Sequence, residues 1–556
     1  MYNLLIGGAA GQGIDTAAAV LEKALKRSGY HVFTMRDFMS RVRGGHNFTT
    51  VRFGPEPIYG HSGKFTGIIA FNEETATLHK DELVEGGFIL CDAALNVDDP
   101  RAVKINMAEI ARSLGAANAA GSVAIGAALR LFGVALDGIE EVLGESIKEK
   151  YLAVNLQAVQ KGHALVEERY QHLGGHCNDC LLITGSRALS LGALAAGLKF
   201  YSAYPMSPST TIMEYLAAKG VKAGVVVEQA EDEIAAINMA LGASFAGARA
   251  MTGTSGGGFS LMVEALGLSG MAEIPLVVVD VQRPGPVTGL PTRTEQSDLK
   301  FVISASQGEF PRMVIALRNH TDSFYQTIRA FNLAEKYQIP VILLSDQYLG
   351  DASATIAPYD LNGIEVLSCG VSDAGQEEYL RYRYTEDGIS PRLLPGKSEH
   401  LVTADSDEHD EYGHITESAQ VRVRMADKRF KKIEKLMEEL QEPEFIGNEE
   451  FSTLLVGWGS TYGPIKEAVT LLNANHGGGY AALVFGDVYP LPQKLLKVKS
   501  AKAHRIVNVE QNATGQLAGL IREFTGITCT GSVLKYDGRQ ITAQEIAERV
   551  LQEGKQ

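Results

Sequence analysis

Cysteine and tryptophan are scarce, at five Cys and one Trp in 556 residues. So few thiols make no disulfide framework, and stability has to come from buried apolar surface. No apolar run approaches the roughly 18 residues that a membrane span needs. The opening MYNLLIGGAAGQGID has no cationic stretch ahead of its first strand-like run, so no signal peptide is expected. Lys/Arg runs longer than three are also missing, and 51 basic residues against 66 acidic ones leave a formal charge of −15. That balance argues against nucleic acid or an anionic membrane surface as the main partner. What remains is ordinary: 45% apolar, 21% charged, 59 Gly. At about 100–200 residues per domain the length predicts three or four domains. The expectation is a cytoplasmic, multidomain α/β protein.

Along the chain, Tyr2–Ile6 reads as a short strand, followed by the Gly-rich turn Gly7–Gly13 and a helical pattern over Ile14–Ser28, the opening half of a βαβ unit. Gly67–Asn72 and Gly87–Cys91 read as buried strands, and Gly121–Phe132 as a small-residue helix. Gln171–Cys180 reads as a linker. A second α/β block begins at Leu181, with strands expected near Ala223–Val227, Ala248–Thr252, Leu276–Val281 and Pro340–Leu344. Helices are expected at Glu231–Phe245 and Ser260–Met271. Unbroken Val/Ile/Leu runs such as LVVVDV suit parallel strands covered on both faces. From about Gln376 to Glu450 the composition turns polar and then gives a charged helix at Lys428–Glu442. A third block starts at Phe451–Trp458 and continues through Ala481–Phe485 and Arg505–Val509.

Chemistry gathers at the ends of these strands. GGAAGQG lies between strand and helix, where glycines let backbone approach a phosphate. No Gly-Lys-Ser/Thr follows and no acidic partner stands about 20 residues on, so a plain tight turn is the alternative. Arg41 and Arg43, beside Gly44-Gly45, would supply a cationic wall to such a site; a surface hairpin with solvated arginines is the competing reading. Tyr204-Pro205-Met206-Ser207-Pro208-Ser209-Thr210-Thr211 places hydroxyls and free amides at a helix start, suited to a small carboxylate or simply to capping. Glu228 to Glu233 follow a β-branched strand. Acids there complement a helix dipole, but a carboxylate beyond a strand end can also act on a ligand proton. TGTSGGG, Thr252–Gly258, is a further glycine-rich strand end. Arg283, on a Pro/Gly turn, can grip a carboxylate in fork geometry. Cys177-x-x-Cys180 has no second pair to complete a metal or cluster set, with Cys91, Cys369 and Cys529 scattered. Incidental thiols are the expected reading.

Taken together these residues resemble the α subunit of 2-oxoacid:ferredoxin oxidoreductases, of the 2-oxoglutarate type with a γ domain fused in front. GGAAGQGI and RVRGGHN look like the γ domain. YPMSPST, VEQAEDEIAA, GASFAGARAMTGTSGGGFSLM and VQRPGPVTGLPTRTEQSDL look like the pyrimidine-binding domain. FGDVYPLP with VNVEQNATGQLAG looks like a transketolase-type C-terminal domain. The resemblance implies an α/β fold in three parts. A γ-type domain would occupy 1–172, with a linker at 173–180. A doubly wound parallel-sheet domain binding thiamine diphosphate (TPP) would occupy 181–366, a connecting excursion 367–450 and the transketolase-like domain 451–556.

The activity it implies is oxidative decarboxylation of a 2-oxoacid with coenzyme A, giving acyl-CoA and CO₂ and reducing ferredoxin. The β subunit would hold the diphosphate, Mg²⁺ and a [4Fe–4S] cluster, in an (αβ)₂ assembly. No Gly-Asp-Gly with a downstream Asn pair and no cluster-binding cysteine set occurs here, so no metal is expected in this chain. Glu233, nine residues before Gly242, matches the glutamate at the TPP aminopyrimidine ring. Ser207, where many relatives have threonine, and Tyr204 and Arg283 match the substrate-binding positions, and Arg293 is the candidate for a second carboxylate. Gly11, Gln12, Gly13, Arg43 and Gly44 would contact coenzyme A. Rival readings are a non-catalytic coenzyme A- or nucleotide-binding scaffold, a single-chain TPP enzyme, and pyruvate or broad oxoacid specificity.

Overall fold

The computed structural model describes residues 1–38, 44–367 and 378–553, and the chain divides into two compact units. Among the described residues no helix is long and apolar enough to cross a membrane. The first unit, Met1–Thr184 with Asp351–Tyr359, carries an eight-stranded sheet. Its strands are β1 (Tyr2–Ala10), β2 (His31–Asp37), β3 (Gly44–Gly54), β4 (Phe65–Ala70), β5 (Leu83–Asp92), β6 (Ala102–Ile105) and β7 (Leu181–Thr184), with the later β14 (Ser353–Ile356). They lie in the order β6-β5-β4-β1-β3-β2-β14-β7. β1, β4, β5 and β6 are parallel, while β3 is antiparallel to both β1 and β2.

Two sequence expectations change here. β1 runs on through the glycines to Ala10, because β3 pairs with it as far as Gly44. Leu181–Thr184, expected to open the second block, is instead the edge strand of this first sheet, paired antiparallel with β14. A four-residue apolar run identifies a strand; it does not say which sheet receives it.

The second unit, Gly185–Gly350 with Asp360–Gln556, contains two sheets. The first has β8 (Phe200–Ala203), β9 (Val226–Gln229), β10 (Ala250–Thr254), β11 (Leu276–Gln282), β12 (Met313–Ala316) and β13 (Pro340–Asp346). The second has β15 (Glu444–Gly447), β16 (Phe451–Trp458), β17 (Gly479–Phe485), β19 (Arg505–Glu510) and β20 (Gly531–Leu534). β18 (Asp487–Tyr489), directly after β17, leaves this last sheet and pairs antiparallel with β12. The larger sheet therefore reads β18-β12-β13-β11-β10-β8-β9, parallel throughout its interior.

One apolar core serves both sheets: Phe259, Val278 and Leu344 cluster with Trp458, Leu483 and Leu517. A second layer, including Ile465, Val484 and Ile546, forms a separate cluster on the smaller sheet. The expected strand at Ala223–Val227 starts later because Gly224, left-handed at φ 67°, ends the Thr210–Ala223 helix and the chain then turns into β9.

The polar excursion is docked rather than loose where it is described. Its helix begins at Ala419, earlier than the charged pattern at Lys428 suggested, and ends at Glu438. Lys428 and Lys432 reach the carboxylate of Glu273 at 2.6 and 2.5 Å, all three buried. Arg381 donates to the carbonyls of Ala272 and Glu273. Burial alone would raise the Glu273 carboxyl, but the charges of Lys428, Lys432 and Arg381 outweigh it and hold the group well below the usual carboxylate range.

Candidate active site

Because β9, β8, β10, β11 and β13 are neighbours and parallel, their carboxyl ends lie along one edge of the sheet. Such an edge is where open α/β sheets collect ligands. Five short segments emerge there: Ala230–Glu233 after β9, Tyr204–Ser209 after β8, Ser255–Gly258 after β10, Arg283–Pro286 after β11 and Gln347 after β13.

The acidic cluster after β9 divides by role. Asp232 caps the Glu233–Phe245 helix, its carboxylate accepting the Ala235 amide at 2.7 Å. Glu233 opens that helix and is 3% exposed, and its Oε1 is buried without a hydrogen-bond partner. A buried carboxylate oxygen left unsatisfied is costly unless something meets it. Facing it is the start of the next helix. The glycines Gly256-Gly257-Gly258, read from the sequence as a turn, belong to the Gly256–Met271 helix. Gly258 is glycine for lack of room: a Cβ there would stand 2.1 Å from Thr254 Oγ1 and 2.4 Å from Glu233 Oε1. Glu233 and the tip of β10 are thus in direct approach.

Ser207 and Arg283, in the segments after β8 and β11, also meet. The Arg283 guanidinium donates to the Ser207 carbonyl at 2.6 Å. Burial lowers the Arg283 pKa, opposed by the nearby Asp298 charge. The turn hydroxyls face inward instead: Ser209 donates to the Met206 carbonyl at 2.7 Å and Thr211 to that of Pro208. Thr254 Oγ1 contacts the Met206 sulfur at 3.8 Å, tying this turn to the tip of β10. Tyr204, at the head of the turn, is 40% exposed. Arg293 is positioned by a different anchor. Its Cβ would lie 3.1 Å from a Cβ on Gly538, and the adjoining Thr294 and Gln296 amides bond to Gly538 and Gln511 carbonyls near the C-terminal sheet.

Sequence reasoning missed three buried acids at or near these strand ends. Asp280, the polar residue in LVVVDV, is fully buried and both carboxylate oxygens lack partners. Burial and the neighbouring Asp298 raise its pKa well above the usual range. Asp298 is itself pushed up to about 6, by burial first and Glu295 second, with Arg283 opposing. Its backbone amide is held by Gln282 Oε1 at 3.1 Å. Asp346, at the end of β13, is also raised by burial to about 6. The available signal was an acid inside an unbroken buried strand, which has to be protonated or paired.

In the first unit, Gly11 and Gly13 have φ of 94° and 83°, so backbone conformation requires glycine there, and space over both is open. Gln12 turns inward: Oε1 accepts the Ala9 amide at 2.7 Å and Nε2 reaches the Phe71 carbonyl. Its side chain braces the turn. Gly44 opens β3, and Arg41 and Arg43 lie outside the described residues. Cys177 and Cys180, expected to be incidental thiols, are joined in a disulfide. The linker brings them together although no second pair exists.

Comparison with known proteins gives the family. Residues 191–428 match the family described as pyruvate flavodoxin/ferredoxin oxidoreductase, thiamine diP-binding, and residues 3–165 match pyruvate ferredoxin/flavodoxin oxidoreductase. The 2-oxoacid:ferredoxin oxidoreductase subunit alpha of Sulfolobus sp. is 32% identical over 613 residues, covering 98% of this chain and 96% of that protein. The 2-oxoglutarate synthase subunit KorA of Methanocaldococcus jannaschii is 35% identical over 59% of this chain and 87% of its own length. Among solved structures, the Magnetococcus marinus 2-oxoglutarate:ferredoxin oxidoreductase, with 2-oxoglutarate, coenzyme A and succinyl-CoA bound, superposes with a TM-score of 0.93. It is 34% identical, over 99% of both chains. With relatives this similar over almost its full length, the chain belongs to the 2-oxoacid:ferredoxin oxidoreductase family, as one of its α subunits.

Proposed function

We propose that this chain supplies one half of a TPP-dependent active site that oxidatively decarboxylates a 2-oxoacid, 2-oxoglutarate foremost, to the acyl-CoA and CO₂ with ferredoxin as electron acceptor. The observation that carries the reading is the buried, unpartnered Glu233 carboxylate in a cradle that a single Cβ on Gly258 would close. A pyrimidine ring carrying a protonated nitrogen fits that oxygen, so the residues present suit the group. When bound, TPP supplies the carbon nucleophile and electron sink. Glu233 holds and moves the proton at the ring nitrogen, in a pocket where a carboxylate meets no competing donor.

Arg283 is proposed to take the oxoacid carboxylate, with Ser207 and Tyr204 at the same turn orienting it and Arg293 as the cation for the far carboxylate of a dicarboxylic substrate. Asp298 lies beside Arg283, and its charge opposes the effect of burial on the guanidinium. Gly11, Gly13, Gly44 and Arg43 are the proposed coenzyme A contacts, with Gln12 as their brace. A β subunit would bring Mg²⁺, the TPP diphosphate site and the [4Fe–4S] cluster, in a cytoplasmic (αβ)₂ assembly. Exposed apolar side chains close to the key residues, Ile234 at 50% and Val287 at 85%, support a covering partner.

The test is viologen reduction by the chain co-produced anaerobically with its β partner, and by the chain alone. Reduction dependent on oxoacid and coenzyme A, in the complex alone and fastest with 2-oxoglutarate, is the expected result. Activity of the chain alone would mean a complete TPP site, and silence in a stable complex would favour a scaffold. Within the complex, Glu233→Gln should lower kcat by about 10²–10⁴-fold with assembly intact.

A further inference from the structure

The linker pair lies outside the site described above, yet it has the parts of a reactive centre. Cys177 is fully buried and Cys180 half-buried, and the two sulfurs are bonded. The Cys177 sulfur stands 3.2 Å from His31 Nδ1 at the start of β2, and Thr355 Oγ1 of β14 lies 3.5 Å from the same nitrogen. The turn is built to hold this arrangement. The Cys177 amide donates to the Gly29 carbonyl at 2.9 Å, the Cys180 amide to the Cys177 carbonyl at 3.1 Å, and Lys26 Nζ to the Asn178 carbonyl at 2.5 Å. The other described cysteines, Cys91 and Cys529, are free. Burial lowers the His31 pKa, with Glu56 opposing, so the imidazole is neutral at pH 7. The other charged or titratable groups in this neighbourhood are Lys26, on the helix before β2, and His176 and Asp179 in the turn.

We propose that Cys177, Cys180 and His31 form a thiol–disulfide exchange site, at which an external vicinal dithiol reduces the pair and its oxidised form regenerates it. In reduction a donor thiolate attacks Cys180 Sγ, the reachable sulfur. The Cys177–Cys180 bond breaks, and Cys177 leaves as a thiolate that takes a proton. The donor's second thiolate then attacks its own sulfur in the mixed disulfide and releases Cys180 as a thiolate. Two electrons and two protons pass to the protein, and the donor leaves as a disulfide. In the reverse direction His31 Nδ1 takes the Cys177 proton, so that the buried sulfur can attack Cys180 and close the bond. With only three donor groups within ligand range among the described residues, and two of them already bonded to each other, exchange is favoured over metal binding.

The purified α–β complex is equilibrated with reduced and oxidised dithiothreitol, acid-quenched and alkylated, and the Cys177–Cys180 peptide is read by mass spectrometry. Two alkyl groups after reduction and none after oxidation are expected. In Cys177→Ser a stable mixed disulfide should form on Cys180 with oxidised glutathione, whose monothiol cannot resolve it. In His31→Gln reoxidation at pH 7 should slow at least about tenfold, the loss of a positioned general base. The deficit should disappear near pH 9, which a purely structural role for His31 does not predict. Faster reduction by dithiothreitol than by reduced thioredoxin at equal concentration assigns small thiols as donor, and the opposite order assigns protein dithiols. The proposal is overturned if neither reduces the pair, if both cysteines stay alkylatable in oxidising buffer, or if His31→Gln follows the wild-type pH profile. It is also overturned if Zn²⁺ alone protects the thiols and EDTA releases them.

Discussion

Replacing Glu273 by glutamine probes how the polar excursion is fastened to the larger sheet's domain. Its carboxylate is the shared counter-charge of Lys428 and Lys432, at 2.6 and 2.5 Å, with all three side chains no more than 2% exposed. Breaking one buried ion pair costs about 3–5 kcal/mol, because the surviving charge is stranded. Two ammonium groups would be stranded here, but one has a way out. Burial first, and Lys428 beside it, lower Lys432 to about 8 against the pull of Glu273. Shedding its proton at pH 7 therefore costs only about 1.4 kcal/mol, and less once Glu273 is neutral. The net loss expected for Glu273→Gln at pH 7 is thus close to one broken pair, about 3–5 kcal/mol.

The pH dependence has a definite sign. Lysines with lowered folded-state pKa bind fewer protons folded than unfolded, so stability rises with pH between those values and the ordinary 10.5. The variant's deficit should shrink from pH 7 to pH 10. In the wild type Glu273's contribution, present at neutral pH, is lost as pH falls below the ordinary carboxylate value towards its depressed one. Urea unfolding followed by the lone, fully buried Trp458 measures the loss, and limited proteolysis should find new cuts among 378–440. Combining Glu273→Leu with Lys428→Met and Lys432→Met should restore most of the stability, since no charge is then stranded. A deficit under about 1 kcal/mol, or one that ignores pH, would refute the reasoning.

Three further outcomes are expected. Asp280→Asn should gain stability relative to wild type as pH rises, because the buried acid holds a proton that the unfolded chain releases above the ordinary carboxylate pKa; parallel urea midpoints at pH 5 and pH 8 would count against it. Gly258→Ala should crowd the Glu233 carboxylate, lowering turnover sharply for about 1–3 kcal/mol of stability, and near-normal turnover would mean that Glu233 need not sit there. Arg283→Ala should chiefly raise the KM for the oxoacid, with kcat much less affected, and steady-state kinetics that leave KM unchanged would remove it from the substrate site.

Much of this protein was legible in one dimension, because local chemistry decides it. The β11, β13 and β16 runs are continuous and apolar, so their strands fall almost where the residues suggest. The strand-end motifs around Glu233 and Arg283 could be picked out from their glycines and charges, and the structure puts both at the carboxyl ends of parallel strands. Tertiary structure decided the rest, because each remaining feature depends on residues far apart in sequence. β7 joins the first sheet only through β14, far along the chain, and β14 only through β2, farther still in sequence, while β18 crosses between sheets. Gly258 is needed because the Glu233 side chain, from another helix, occupies the space a Cβ would take. Asp280 titrates high because burial and Asp298 surround it. Cys177 and Cys180 looked incidental until the linker folded them against His31. Periodicity and turn chemistry are properties of neighbours along the chain, whereas desolvation and close approach exist only once distant segments have met.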